Sequence, residues 1–210
     1  MATRAWFNPN FESRSYYLPG IIALMVMLIT LMLSSMAVVR EKEIGTIEQI
    51  MVTPITRTEF ILGKTLPFAV IGYVDVIIIS LIAVLWFRVP FAGSLLLLLA
   101  ANGLYLMSTL GAGLLISTVS RTQQQAMMSA FFVYFPAVLL SGFMFPIANM
   151  PRVVQWLTYI NPLRYFLVII RGVFLKGLGP EFLWPQMAAL LVLGLVLLAL
   201  AISRFQKTID

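Results

Sequence analysis

The sequence predicts an all-α integral membrane protein, and three observations carry that reading. Of its 210 residues, 61% are hydrophobic and only 10% are charged, against about 45–50% and about 25% in an average soluble domain. The mean hydropathy is +0.99, more apolar surface than a soluble fold of this length can hide, since such domains bury only about 70% of their unfolded area. The apolar residues also come in runs of about twenty rather than alternating tens, which selects helices over a β-barrel.

The elements follow in chain order. Residues 1–16 are polar and aromatic, carry Arg4, Glu12 and Arg14, and lack the apolar centre of a signal peptide. Tyr17 to Val39 is the first apolar run; at 1.5 Å per residue it spans about 35 Å and can cross a bilayer. It stops at Arg40-Glu41-Lys42-Glu43, and a charged, partly amphipathic stretch continues to Lys64. Further crossings are expected over Leu66–Phe87, Ser94–Val119, Ala126–Phe145 and Phe182–Ser203. Arg88 to Gly93 is a turn by its proline and glycine. Residues 146–181 are rich in helix breakers and contain Arg164, Arg171 and Lys176. Each basic group at the bilayer centre costs about 2.5–3.5 kcal/mol on insertion scales, so this region reads as interfacial or re-entrant helices rather than a full crossing. The chain therefore reads as one membrane domain, 1–210, with five transmembrane helices.

Composition excludes much chemistry. With no cysteine there is no disulfide, thiolate nucleophile or cysteine-based metal site. With no histidine there is no Ser-His-Asp triad, imidazole shuttle or histidine-ligated zinc. No metal site is expected. The net charge of +6 fits contact with anionic lipid headgroups, and the absence of a basic run argues against nucleic acid. The charge bias does not orient the chain: Arg40, Lys42, Arg57, Lys64, Arg121, Arg204 and Lys207 fall on one side, and Arg4, Arg14, Arg88, Arg152, Arg164, Arg171 and Lys176 on the other.

Several motifs stand out. Gly63-Lys64-Thr65 resembles the end of a phosphate-binding loop, but Thr58 stands where its first glycine belongs, so Lys64 reads better as a lysine reaching for headgroups. The segment Arg40–Pro54, taken as one helix, aligns Ile44, Ile47 and Met51 on a stripe with Glu41, Lys42 and Glu48 on other faces. That pattern fits either a solvated loop or a docking surface. Asp75 is the one acid well inside an expected crossing. It is either a functional carboxylate or a protonated group bonded to a neighbouring helix, with Asn102 as a possible partner or as helix glue. Thr109, Gly113 and Ser117 recur every four residues, with Gly111 nearby, a small-residue ridge suited to close helix packing. Trp6, Trp86, Trp156 and Trp184 fall near expected interfaces, as in a headgroup belt.

Three passages together resemble the permease subunits of type-2 ABC transporters, closest to the drug-efflux branch. They are Arg40–Pro54 running into Phe60-Ile61-Leu62-Gly63-Lys64, Ser141-Gly142 through Asn149-Met150-Pro151, and Asn161-Pro162-Leu163-Arg164-Tyr165. The resemblance runs from about Trp6 to Lys207. It implies that 40–64 is a cytoplasmic segment whose amphipathic coupling helix touches an ATPase, with Glu41, Gly45, Thr46, Glu48 and Pro54 in that role. It also implies that 1–16 is an outer tail and 146–181 an outer hairpin, where Asn149, Pro151, Asn161, Pro162 and Arg164 would form a gate. Members of that family have six crossings and a large external domain after the first, so five crossings here imply a fragment, a split gene or a short form.

The expected function is that of a permease half in the bacterial inner membrane, not itself an enzyme, exporting hydrophobic or amphipathic small molecules. Its expected partners are an ATP-binding cassette ATPase subunit, a second permease copy or paralogue, and membrane lipids. No cofactor is expected on this chain, with ATP and Mg on the partner subunit. The rival readings are a proton-coupled secondary transporter using Asp75 and a non-transporting membrane scaffold.

Overall fold

A computed structural model describes residues 13–45 and 56–204, and among these every regular element is helical. Helix α1 is Ser13–Ser35, α2 Val39–Ile44, α3 Arg57–Leu85, α4 Leu95–Val119, α5 Gln123–Leu139, α6 Arg152–Leu157, α7 Pro162–Arg171 and α8 Pro180–Arg204. Short 3₁₀ turns at Ile147–Asn149 and Thr158–Ile160 and a π turn at Gly172–Lys176 complete the hairpin region.

Four stretches are long and apolar enough to cross a membrane: Tyr16–Ile44, Thr58–Leu85, Leu95–Val119 and Pro180–Arg204. A fifth appears if the pair Arg152–Ile160 and Pro162–Lys176 counts as one span, although it bends by 83°. That bend matches the hairpin expected from the helix breakers. The expected crossing Ala126–Phe145 is not among these spans; it corresponds to α5, which has only 17 residues. It rises about 26 Å at 1.5 Å per residue, the short end of what spans a bilayer. It ends early because Ser141 turns the chain, its hydroxyl donating to Val138 O and accepting from Phe143 N–H, ahead of Gly142 at φ +83°.

Two expected boundaries need correction. The crossing expected from Leu66 begins earlier in the chain, because the helix α3 already starts at Arg57. Thr56 and Glu59 form a reciprocal capping box there, which satisfies two of the orphan N–H groups of the first turn. Gly63-Lys64-Thr65 is thus helical, which ends any phosphate-loop reading. Nor does one helix run through Arg40–Pro54. Helix α2 stops at Gly45, whose φ of +81° is the left-handed cap glycine adopts at little cost. Of the stripe Ile44, Ile47 and Met51, Ile44 is the last residue of α2; Ile47 and Met51, like Thr46, Glu48 and Pro54, lie outside the described residues.

The bundle is built around α4, which packs on α1, α3, α7 and α8. Its small residues set those approaches. The Thr109–Gly113–Ser117 ridge faces α1: the Thr30 hydroxyl donates to Thr109 Oγ1 at 3.0 Å, and a Cβ on Gly113 would collide with Ser34 Oγ. Gly111 faces α8, where Ser108 Oγ donates to Leu190 O at 3.1 Å. The core between α1, α4 and α7 holds Ile22, Tyr105, Leu163, Phe166 and Leu167, all buried. Trp86, Trp156 and Trp184 are 82%, 77% and 64% exposed, the placement a headgroup belt needs.

Candidate functional site

The short helix α2 gathers polar contacts from three other helices at one end of the bundle. The main chain breaks at Met36–Val38, which interrupts the helical hydrogen-bond ladder and frees N–H groups next to an apolar core. Irregular backbone at such depth persists only where its polar groups are re-satisfied. Here the Ser117 hydroxyl accepts from Val38 N–H at 2.9 Å and from Val39 N–H at 3.0 Å, and all three residues are fully buried.

Farther along α2, Lys42 Nζ donates to Thr118 O at 2.6 Å and Ser120 O at 3.4 Å. Those carbonyls close α4, where the last C=O groups lack helical partners and the dipole favours a cation. Glu41 pairs with Lys64 of α3, and Gln123 of α5 donates to Glu43. Lys64 therefore turns to a carboxylate. On α2 the residues left outward are Arg40 and Ile44, followed by Gly45. Of the five residues expected to contact an ATPase, Glu41 faces inward to Lys64, Gly45 forms the exposed cap, and Thr46, Glu48 and Pro54 fall outside the described residues.

The hairpin end separates its five candidate residues into two sets. Asn149 and Pro151 are exposed on the loop before α6. Asn161 and Pro162 are buried at the corner: Asn161 Oδ1 caps α7 by accepting from Leu163 N–H at 3.1 Å, and its Nδ2 donates to Ala137 O at 2.7 Å. Pro162 takes the first helical position, where a missing N–H costs nothing. Arg164 bonds the Thr158 hydroxyl and lies 4.1 Å over the Tyr159 ring. A second cation of α7, Arg171, donates to Tyr16 Oη at 2.9 Å and stacks 4.0 Å over that ring.

The two intramembrane polar residues do not pair. Asn102 is fully buried with neither amide atom hydrogen-bonded, and the buried Oδ2 of Asp75 has no partner. The possible Asp75–Asn102 bond is not made, and the Asn102 side chain bonds no other helix among the described residues. An apolar cavity of about 510 Å³ lies between α3 and α4, with Leu62, Leu66, Tyr73, Leu106 and Leu110 in its wall and Leu198 of α8 also lining it. Gly63 and Thr65, which flank the ion-paired Lys64, line it as well.

Long apolar helices around a central span, with a broken first span and a polar helix set across one end, define a multi-pass helical membrane protein. The family model described as ABC-2 type transporter matches residues 3–175, and the chain belongs to that family. It is 34% identical over 209 residues to the probable multidrug ABC transporter permease YbhR of Escherichia coli K12, covering 100% of this chain and 57% of that protein. It is 38% identical over 209 residues to the probable multidrug ABC transporter permease YbhS of the same organism, covering 99% and 55%. ABC transporter G family member 20 of Dictyostelium discoideum is 26% identical over 196 residues, covering 93% of this chain and 27% of that protein. The chain spans little more than half the length of the bacterial relatives.

Proposed function

We propose that this chain is the membrane part of an ATP-driven exporter for hydrophobic or amphipathic small molecules, working as a permease half in a bacterial inner membrane. Family membership across residues 3–175 carries this reading. An ATP-binding cassette subunit, holding ATP and Mg, docks against α2 and residues 46–54, and a second permease copy or paralogue completes the path. The face that α2 leaves open, with Arg40, Ile44 and Gly45 exposed, suits such docking, and Glu48 and Pro54 follow in the sequence as further candidates for it. The apolar wall of the cavity between α3 and α4 suits a lipophilic cargo. The hairpin with Asn149, Pro151, Asn161, Pro162 and Arg164 serves as the gate on the outer side.

The test is affinity purification from native membranes in mild detergent, with an intact mass on every band. Recovery of an ATP-binding cassette subunit in stoichiometric amount is expected, and Glu48→Arg should lower it without reducing the yield of the permease. A chain recovered without any ATPase would overturn the reading.

A further inference from the structure

We infer that α2 is latched to α4 rather than carried by α1, and that Ser117 and Lys42 are the positioning residues of the latch. The inference deepens the proposed function, on which its transport consequence rests.

Sequence continuity alone would make α2 an extension of α1. The bonding says otherwise. Between Ser35 and Val39 the chain makes a turn, in which Ala37 N–H bonds Ser34 O at 3.1 Å and Arg40 N–H bonds Met36 O at 3.1 Å. The N–H groups of Val38 and Val39, which a continuous helix would satisfy from α1, both go to Ser117 Oγ on α4. Four residues on, Lys42 reaches two carbonyls of the same helix end. Two attachment points about one helical turn apart fix both the position and the rotation of a six-residue helix, which a single contact cannot do. The approach that permits them comes from Gly113, where any side chain would strike Ser34 Oγ and Leu31 O.

A load reaching α2 at Gly45 therefore passes into the end of α4, the helix at the centre of the bundle, and through Glu41–Lys64 and Glu43–Gln123 into α3 and α5, while Met36–Val38 acts as a hinge relative to α1. Ser117 has a role here that packing alone does not require. Its one oxygen replaces two main-chain acceptors, so removing it leaves two buried N–H groups unpaired.

The chain has no cysteine, so spin-label pairs can be placed without background. Arg40, Arg121 and Met25 are exposed sites on α2, after α4 and on α1. In lipid nanodiscs the Arg40→Cys/Arg121→Cys pair should give one narrow distance distribution and the Arg40→Cys/Met25→Cys pair a wider one. Ser117→Ala should widen or split the first distribution, and Ser117→Thr, which keeps the hydroxyl, should restore it. If Ser117→Ala does not fold, Lys42→Met removes the second attachment alone and should widen the same distribution. A narrow 40–25 distance beside a wide 40–121 distance would overturn the latch, as would an unchanged 40–121 distribution in either variant. No ATPase is needed for these measurements, so failure to recover one would remove the exporter reading and leave the latch standing.

Discussion

The two ends of the bundle are fastened by different chemistry. Where α1 gives way to α2, the ties are few, polar and directional: one hydroxyl under two N–H groups, one ammonium on two carbonyls, and the Glu41–Lys64 and Gln123–Glu43 contacts. At the hairpin end, Tyr105 stacks on Phe166 with centroids 4.2 Å apart and planes 8° apart, and Phe91 meets Phe174 edge-on at 4.9 Å. Leu163, Leu167, Ile169, Ile170 and Val173 are buried around them. Hydrogen bonds contribute about 0.5–1.5 kcal/mol each and can be exchanged singly. Close-packed side chains are held by many small contacts that must be given up together. One end can be reset in steps, whereas the other holds or unpacks as a unit.

Substitutions can break or sharpen this contrast. The largest effect is expected from Gly113→Val, which forces α1 off α4. Overpacking of this kind costs about 1–3 kcal/mol, and the melting temperature in detergent should fall by several degrees. Gly63→Ala, at a site with nothing within 4 Å of the added carbon, should melt with the parent; equal losses at both would refute close approach as the reason for Gly113. Asn161→Ala comes next, because it removes both the α7 cap and the bond to Ala137 O. It should cost about 1–2 kcal/mol and speed proteolysis around 158–165, whereas Asn149→Ala should change stability by less than about 0.5 kcal/mol.

A smaller effect is expected from Glu41→Gln. Its pair with Lys64 is partly exposed, the lysine side chain by 35% and the glutamate by 17%, and such pairs contribute at most about 1 kcal/mol. Thermal melts should barely move, and a drop of many degrees would show that this pair is a main tie. The smallest effect is expected at Asp75. The proposed ATP-driven export predicts that Asp75→Asn is nearly silent in a substrate-efflux assay, and abolished efflux would favour proton coupling instead.

Much of the fold was legible in the sequence, and the misses have specific causes. The run Ser94–Val119 nearly coincides with α4, and Phe182–Ser203 falls within α8, because turn signals or charges bound both runs. The apolar run begins only at Leu66, so hydropathy does not mark the start of α3 at Arg57; the local signal for that start is the Thr56–Glu59 capping box. At α2 the apolar period continues past Gly45 in the sequence, but the left-handed conformation of Gly45 ends the helix there. Ser117 was visible as one member of a small-residue ridge. Its two donors were not, because they exist only once α1 breaks against α4, a tertiary event with no local signature. Lys64 likewise meets Glu41 only after α2 and α3 pack together.

Hydrogen exchange read by mass spectrometry in lipid nanodiscs tests the contrast between the two ends most directly. Amides of 36–39 should exchange faster than those of 163–170, since opening the first requires loss of two side-chain bonds and opening the second requires unpacking a core. Ser117→Ala should accelerate exchange at 36–39 and leave 163–170 unchanged. Faster exchange in the hairpin, or equal acceleration at both ends, would contradict the division into a resettable end and a fixed one.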